Sequence, residues 1–219
     1  MAGTFITFEG IDGSGKSTHL RLLADFLRSG GLDVVLTREP GGTPVGNRLR
    51  AALLDASEEV DPLTELLVFA ADRAQHVRRV LRPAIEEGRV IISDRYADAT
   101  VAYQGAGRGF SAELISEIIA LATEGLRPEL TLLFNLSVAE SNTRTRRRTN
   151  GQQAGDRLDA ETAEFHTRVR DAYLRLAETE PDRIKVIETN RSVEETQECV
   201  RKVIVPFLIG RGHIRNANC

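Results

Sequence analysis

At 219 residues, with 41% apolar and 28% charged side chains, the chain can bury a substantial core as one large domain or two small ones. A net charge of −3 excludes a general nucleic-acid binder, so any basic site must be local. Cys199 and Cys219 are the only cysteines, which excludes a disulfide framework and a CxxC metal site. No apolar run approaches membrane-spanning length, and no charged region followed by a long apolar core opens the chain, so the expected compartment is the reducing cytoplasm.

In chain order, Thr4 to Phe8 reads as a β-rich run. It delivers Gly10-Ile11-Asp12-Gly13-Ser14-Gly15-Lys16-Ser17, which meets G-x-x-x-x-G-K-[ST] at every fixed position, with Thr18 next. Glycines let such a loop curl until successive N–H groups point at phosphate oxygens. Lys16 adds a point charge near the β and γ phosphates, and the Ser17 hydroxyl can ligate Mg²⁺. A helix starting near Lys16, with apolar Leu20, Leu23 and Leu27, turns its positive end toward the same anion. Strand, glycine loop and helix form the context that this motif requires.

Asp33 to Thr37 is a second strand, leading into Arg38-Glu-Pro-Gly-Gly-Thr43, where regular structure is ruled out. A short helix covers Val45 to Leu54. A long helical stretch runs from Pro62 to about Glu87, with a kink or division expected at Pro83. Arg89 to Ser93 is a buried strand ending on Asp94-Arg95-Tyr96. Gly105 to Gly109 reads as flexible, Ser111 as the cap of a helix with Leu114, Ile115, Ile118 and Ile119, and Gly125 as its end. Leu130 to Phe134 is a further buried strand, followed by a helix from Val138 to about Arg147 and a polar loop from Thr149 to Gly155. A helix marked by Phe165, Val169, Tyr173 and Leu176, a strand from Ile184 to Ile187 and a helix from Val193 to about Phe207 complete the chain. Alternation of this kind is an α/β fold with a parallel sheet and helices on both faces, whose ligands sit at the carboxyl ends of the strands. Asp12, Lys16, Arg38, Glu39, Asp94 and Arg95 are expected there.

The glycine loop alone leaves many activities open. Thr37-Arg-Glu-Pro-Gly-Gly-Thr43, Ser93-Asp-Arg-Tyr96, Ala102-Tyr-Gln-Gly105 and Asp156-Arg-Leu-Asp159 follow it in that order. Together these motifs resemble the thymidylate kinase family, over a span from about Phe5 to Ile187. The resemblance implies a five-stranded parallel sheet flanked by helices, of the P-loop nucleoside monophosphate kinase type, in a single domain with an arginine-rich lid at about 141–160. It implies the reaction ATP + dTMP → ADP + dTDP, with ATP and Mg²⁺ required and a homodimer as the assembly. Helices in the 62–85 and 111–122 stretches are the expected contacts. The acceptor is a phosphate monoester, already mostly dianionic at neutral pH, so the chemistry asks for cations rather than a base. Lys16, Arg38, Arg50, Arg95 and the arginines from Arg144 to Arg157 meet that demand.

Position by position, the resemblance makes Lys16 the holder of the transferring phosphoryl and Arg95 the bridge between acceptor phosphate and donor. Asp12 lies near the acceptor sugar and the metal, with Ser17 and Asp94 as metal ligands. Arg38, Glu39 and Arg50 stand near the acceptor phosphate. Phe69 stacks on thymine, Arg73 bonds a thymine carbonyl, Thr100 and Gln104 surround the base, and the Tyr103 ring crowds the sugar 2′ position. No basic residue stands among Ile11 to Ser14, so a catalytic arginine is expected from the lid; Arg157 matches the family's DR element, ahead of Arg146 and Arg148. The plainer alternatives are Phe69 as core, Asp94-Arg95 as a helix-cap ion pair and the lid arginines as a solvated face. The nearest alternative is another small phosphate-loop kinase, acting on a different nucleoside monophosphate or on a deoxynucleoside. A deoxynucleoside kinase would need a carboxylate base, for which Glu9 or Asp94 could serve, and a nucleotide switch would need neither acceptor motifs nor an arginine lid.

Overall fold

The computed structural model describes residues 2–55, 57, 59–148 and 157–214. β1 (Thr4–Glu9) is buried along its whole length and runs through the glycine loop into α1 (Lys16–Ser29). β2 (Val34–Arg38) then leads to α2 (Pro44–Leu54), which starts under a Thr43 cap with Pro44 in its first turn. α3 (Pro62–His76) starts under Asp61, whose carboxylate accepts from Leu63 and Thr64 N–H. The kink or division expected at Pro83 is a division: a π-helical turn, Val77–Leu81, separates α3 from α4 (Arg82–Glu86), which carries Pro83 in its first turn. Arg82 N–H reaches back five residues to the Val77 carbonyl, and Pro83 follows with no N–H to offer the preceding turn.

β3 (Val90–Asp94) ends on Asp94, and α5 (Ala97–Thr100) continues into a second π-helical segment, Val101–Gly107. The expectation of a flexible 105–109 stretch is therefore corrected through Gly107. That glycine is buried, and a Cβ on it would lie 2.6 Å from the Phe165 ring, so packing orders a segment that composition alone leaves loose. Ser111 caps α6 (Ala112–Thr123) as expected, and β4 (Leu130–Asn135) precedes α7 (Val138–Arg148). The polar loop expected from Thr149 to Gly155 lies outside the described residues, as do Asp156 and Cys219. α8 (Ala163–Thr179), β5 (Ile184–Glu188) and α9 (Val193–Gly210) complete the chain, the last running three residues past its expected end with Pro206 inside it.

All strand pairings are parallel, in the order β2-β3-β1-β4-β5. On one face Ile6, Phe8, Ile92, Leu132 and Phe134 meet Leu20, Leu23 and Leu27 of α1 and Val200, Ile204 and Leu208 of α9. On the other, Phe5 and Ile91 meet Val77, Leu81 and Ala84, while Leu133 and Ile11 meet α8 through Val169 and Tyr173. Each fully buried Ile, Leu or Phe contributes roughly 1.5–3 kcal/mol relative to exposure, and they come both from the apolar runs of the strands and from the inward faces of the helices. Register places Phe8 beside Asp94 and Arg38 beside Asp94, so the carboxyl ends of β1, β2 and β3 form one ledge.

Candidate active site

The glycine loop is shaped by close approaches that no side chain would fit. Gly10 has φ +134°, and a Cβ there would stand 2.5 Å from the Phe134 carbonyl oxygen. Gly13 (φ +72°) faces α7, whose Ser141 hydroxyl donates to the Asp12 carbonyl at 2.5 Å. α7 thus docks directly on the loop. Lys16 Nζ donates to the Gly10 and Ile11 carbonyls, both at 2.9 Å, and the loop holds its ammonium inside its own curl. Burial and the neighbouring Arg95 pull the Lys16 pKa down, opposed by Asp12 and Asp94. α1 carries no acidic side chain in its first turn, which leaves its N-terminus free to receive an anion.

Arg95 follows β3 in a left-handed conformation, φ 71°, a cost that non-glycine residues bear mainly where function demands the geometry. Its N–H donates to the Phe8 carbonyl and its carbonyl accepts from Ser93 Oγ, which hold the turn. The guanidinium then reaches Asp12 with Nη2 2.9 Å from both carboxylate oxygens, donates to Tyr103 OH at 3.0 Å and sits 4.8 Å from the Tyr103 ring centroid. Burial alone would raise the Asp12 pKa. Arg95 and Lys16 outweigh it and hold the carboxylate well below its usual range. Arg95 is therefore paired with Asp12 rather than with Asp94 in a helix-cap pair. Asp94 instead accepts from the Ser17 hydroxyl at 2.8 Å.

Two adjoining cavities gather almost all of the expected residues. An open cleft of about 640 Å³ is walled by Gly13, Gly15, Lys16, Ser17, Thr18, Arg38 and Asp94, with Arg144 of α7 and Asp159. A narrower pocket is walled by Phe69, Arg73, Thr100, Tyr103 and Gln104, with Leu54 and Leu158. Asp12, Glu39, Arg50 and Arg95 line both, forming a seam between them. Phe69 is 9% exposed, so it is both core and pocket wall. Arg73 is almost fully buried and held rigid, donating to Glu39 Oε2 at 2.8 Å, Thr100 Oγ1 at 2.9 Å and the Tyr96 carbonyl at 3.0 Å.

Other expected residues stand elsewhere. Gly10, Ile11 and Ser14 shape the loop from beneath without lining the cleft. Arg157 lies on neither wall: Nε donates to the Leu53 carbonyl at 3.0 Å and Nη2 to Glu65 at 2.7 Å. Arg146 is exposed on α7. Glu9 is unsuited to act as a base, since it is sealed below the ledge with its oxygens accepting from Tyr96 N–H and Tyr173 OH, both at 2.7 Å.

Sequence reasoning passed over Glu65 and Tyr173. Glu65 was legible in one respect, standing four residues before Phe69 and eight before Arg73, on one helical face. Tyr173 carries only the helical apolar period, and its OH joins Glu9 to Arg95 Nη1, 3.4 Å away. Among the described residues no cluster of three or more His, Cys, Asp or Glu side chains could hold a metal by itself. Ser17 Oγ and the Asp94 carboxylate do present two hard oxygen donors in the cleft, the donor type that suits Mg²⁺ completed by water and phosphate. No described helix is long and apolar enough to cross a membrane.

The comparisons with known proteins agree on one family. Its model, described as Thymidylate kinase, matches residues 8–200. The thymidylate kinase of Exiguobacterium sibiricum is 44% identical over 209 residues, covering 95% of this chain and 97% of its own. That of Deinococcus radiodurans is 49% identical over 195 residues, covering 89% and 93% respectively. The crystal structure of thymidylate kinase from Ehrlichia chaffeensis superimposes with a TM-score of 0.76 at 34% identity, covering 94% of this chain and all of that one. With a family model matched over most of its length and relatives at 44% and 49% identity that it covers almost entirely, the chain belongs to the thymidylate kinase family.

Proposed function

We propose that the cleft takes the ATP triphosphate, that the pocket takes dTMP, and that the seam between them is where the phosphoryl group passes. Family membership gives the reaction: ATP phosphorylates dTMP to dTDP. The observation that carries the site assignment is the sharing of Asp12, Glu39, Arg50 and Arg95 by both cavities. A dTMP phosphate and an ATP γ-phosphate would meet there, and Arg95 can turn from Asp12 to neutralise both.

The transfer needs no general base, because the attacking oxygen is already anionic. Binding and orientation carry the rate. Lys16 would leave the loop carbonyls for the β and γ phosphates, while Arg38 and Arg50 hold the acceptor phosphate. Phe69, Arg73, Thr100 and Gln104 bind the base, and the Tyr103 ring limits the space beside the sugar. Asp12 keeps Arg95 in place until substrates arrive. Ser17 and Asp94 would hold Mg²⁺, which supplies charge neutralisation on the phosphates. Arg144, already on the cleft wall, supports a lid-supplied cation, and Arg157 joins it only by leaving Glu65. Closure of the lid, at about 141–160, would exclude water from the transferring group. The whole chain acts as one kinase domain. A homodimer is supported by large apolar side chains left at the surface of α2, α3 and α6, and a cytoplasmic setting by the free thiol of Cys199.

A coupled ADP-release assay with Mg·ATP tests this reading against dTMP, its ribose analogue, dUMP and thymidine. The expected result is turnover on dTMP, weak turnover on the ribose analogue, none on thymidine, and loss of activity on chelation by EDTA. Replacing Tyr103 by Ala should raise the relative rate on the ribose analogue. Phosphorylation of thymidine with dTMP ignored would overturn the acceptor-pocket assignment.

A further inference from the structure

Glu65 has no part in the chemistry above, yet it is fully buried and touches none of the cavity space. A carboxylate in that position needs partners, and it has them from three directions. Gln104 Nε2 donates to Oε1 at 2.8 Å from the wall of the acceptor pocket. Arg108, just past the π-helical segment, donates through Nε at 3.2 Å and Nη2 at 2.9 Å. Arg157, at the return of the lid segment, donates Nη2 to Oε2 at 2.7 Å.

Both arginines are fixed a second time. Arg157 is also bound to Leu53 and Leu54 by its Nε and its backbone N–H, and Leu54 and Leu158 line the acceptor pocket. Arg108 pairs with Glu161 at 2.6 Å and lies 4.8 Å from the Phe165 ring centroid. An ionised carboxylate can only accept, so Glu65 dictates which end of the Gln104 amide it meets. The NH₂ turns toward Glu65, and the amide oxygen remains to accept from an N–H donor on a bound base. A single side chain thereby sets both the amide at the base end of the pocket and the Arg157 side chain that is tied to the Leu53–Leu54 end of α2.

We propose that Glu65 is a positioning residue that couples the Gln104 amide at the base end of the pocket to the Leu54 and Leu158 wall through Arg157. The inference rests on reading the adjacent pocket as the dTMP site. Steady-state kinetics of Glu65→Gln test it, since the near-isosteric amide removes the charge and the one-way acceptor while keeping the volume. KM for dTMP should rise about tenfold, the scale of a lost charged hydrogen bond, with KM for ATP changed less than about twofold. A merely structural role would lower the melting temperature without separating the two KM values. Equal rises in both, or an unchanged KM for dTMP, would overturn the proposal.

A second measurement serves if Glu65→Gln does not fold. In a cycle of Gln104→Ala and Arg157→Ala, whose side chains both donate to Glu65, the second replacement should cost markedly less in the background of the first. Independent, multiplicative effects on kcat/KM for dTMP would overturn the coupling. The wild-type chain is the control: if it leaves dTMP unphosphorylated, the pocket assignment itself is wrong and the proposal falls with it.

Discussion

Behind Arg95 lies a carboxyl group that the chemistry never touches. Burial pushes the Glu9 carboxyl up from 4.5 to about 8, with the nearby Asp98 charge adding to the rise and Arg95 opposing it. Folding therefore takes up a proton at this site between those two values. Stability from Glu9 is fully present below about pH 4.5 and is lost as pH rises through about 8. Glu9→Gln keeps an oxygen for Tyr96 N–H and removes the titration. Thermal unfolding should show a flatter fall in melting temperature from pH 5 to 8.5 than the wild type, and a variant more stable than wild type at the upper end. An unchanged slope would mean that Glu9 stays ionised in the folded protein. Asp72, raised by burial and the Glu39 charge to about 6 while accepting from Gly41 N–H, leaves a residual slope in the acid part of the range.

Among the elements, the π-helical segment Val101–Gly107 supplies Tyr103 and Gln104 to the narrower pocket. It turns Tyr103 and Gln104 into the pocket wall while Ala102 and Gly107 pack inward against α8. Phe165 is held on several sides, with Tyr103 edge-on at 6.1 Å and Arg108 and Arg168 over its ring. A Cβ at position 107 would meet that ring at 2.6 and 2.8 Å and Val169 at 3.2 Å, with no flexible tip to yield. Gly107→Ala should cost about 1–3 kcal/mol in denaturant unfolding, the range of overpacked cores, and should raise KM for dTMP. Gly105→Ala is the control two residues away. Its nearest neighbour would be Ile115 at 3.7 Å, so it should be neutral or stabilise the helix by up to about 1 kcal/mol. Equal destabilisation by both would show that the segment is not packed as described.

For the whole molecule, the unresolved business is its apolar surface. Leu63 and Leu67 stand one turn apart on α3 at 49% and 48% exposure, Val45 on α2 at 46% and Leu121 on α6 at 77%. α3 packs against both α2 and α6, so these side chains belong to one group of neighbouring helices. Apolar groups of this kind mark association surfaces, and a second copy of the chain is the occupant we propose. Leu67→Asp should shift sedimentation velocity from a dimer to a monomer while far-ultraviolet circular dichroism stays the same. Sedimentation of the wild-type chain as a monomer would remove the proposal.

The residues from Thr4 to Thr18 already determined a strand, a glycine loop and a helix in that order. The reason is local: glycine spacing, an adjacent apolar run and a helical period act within a few residues of one another. Alternating apolar runs likewise determined the parallel sheet, and their ends located Arg38, Asp94 and Arg95 on its ledge. Tertiary structure alone decided what those groups face. Nothing in the order of residues says that Arg95 pairs with Asp12 instead of Asp94, since the choice depends on a left-handed turn held by Phe8 and Ser93. The same holds for Glu65, whose three donors lie 39, 43 and 92 residues away along the chain. Buried charges are satisfied by whichever groups the packing brings within about 3 Å, and that distance is a property of the fold rather than of sequence spacing.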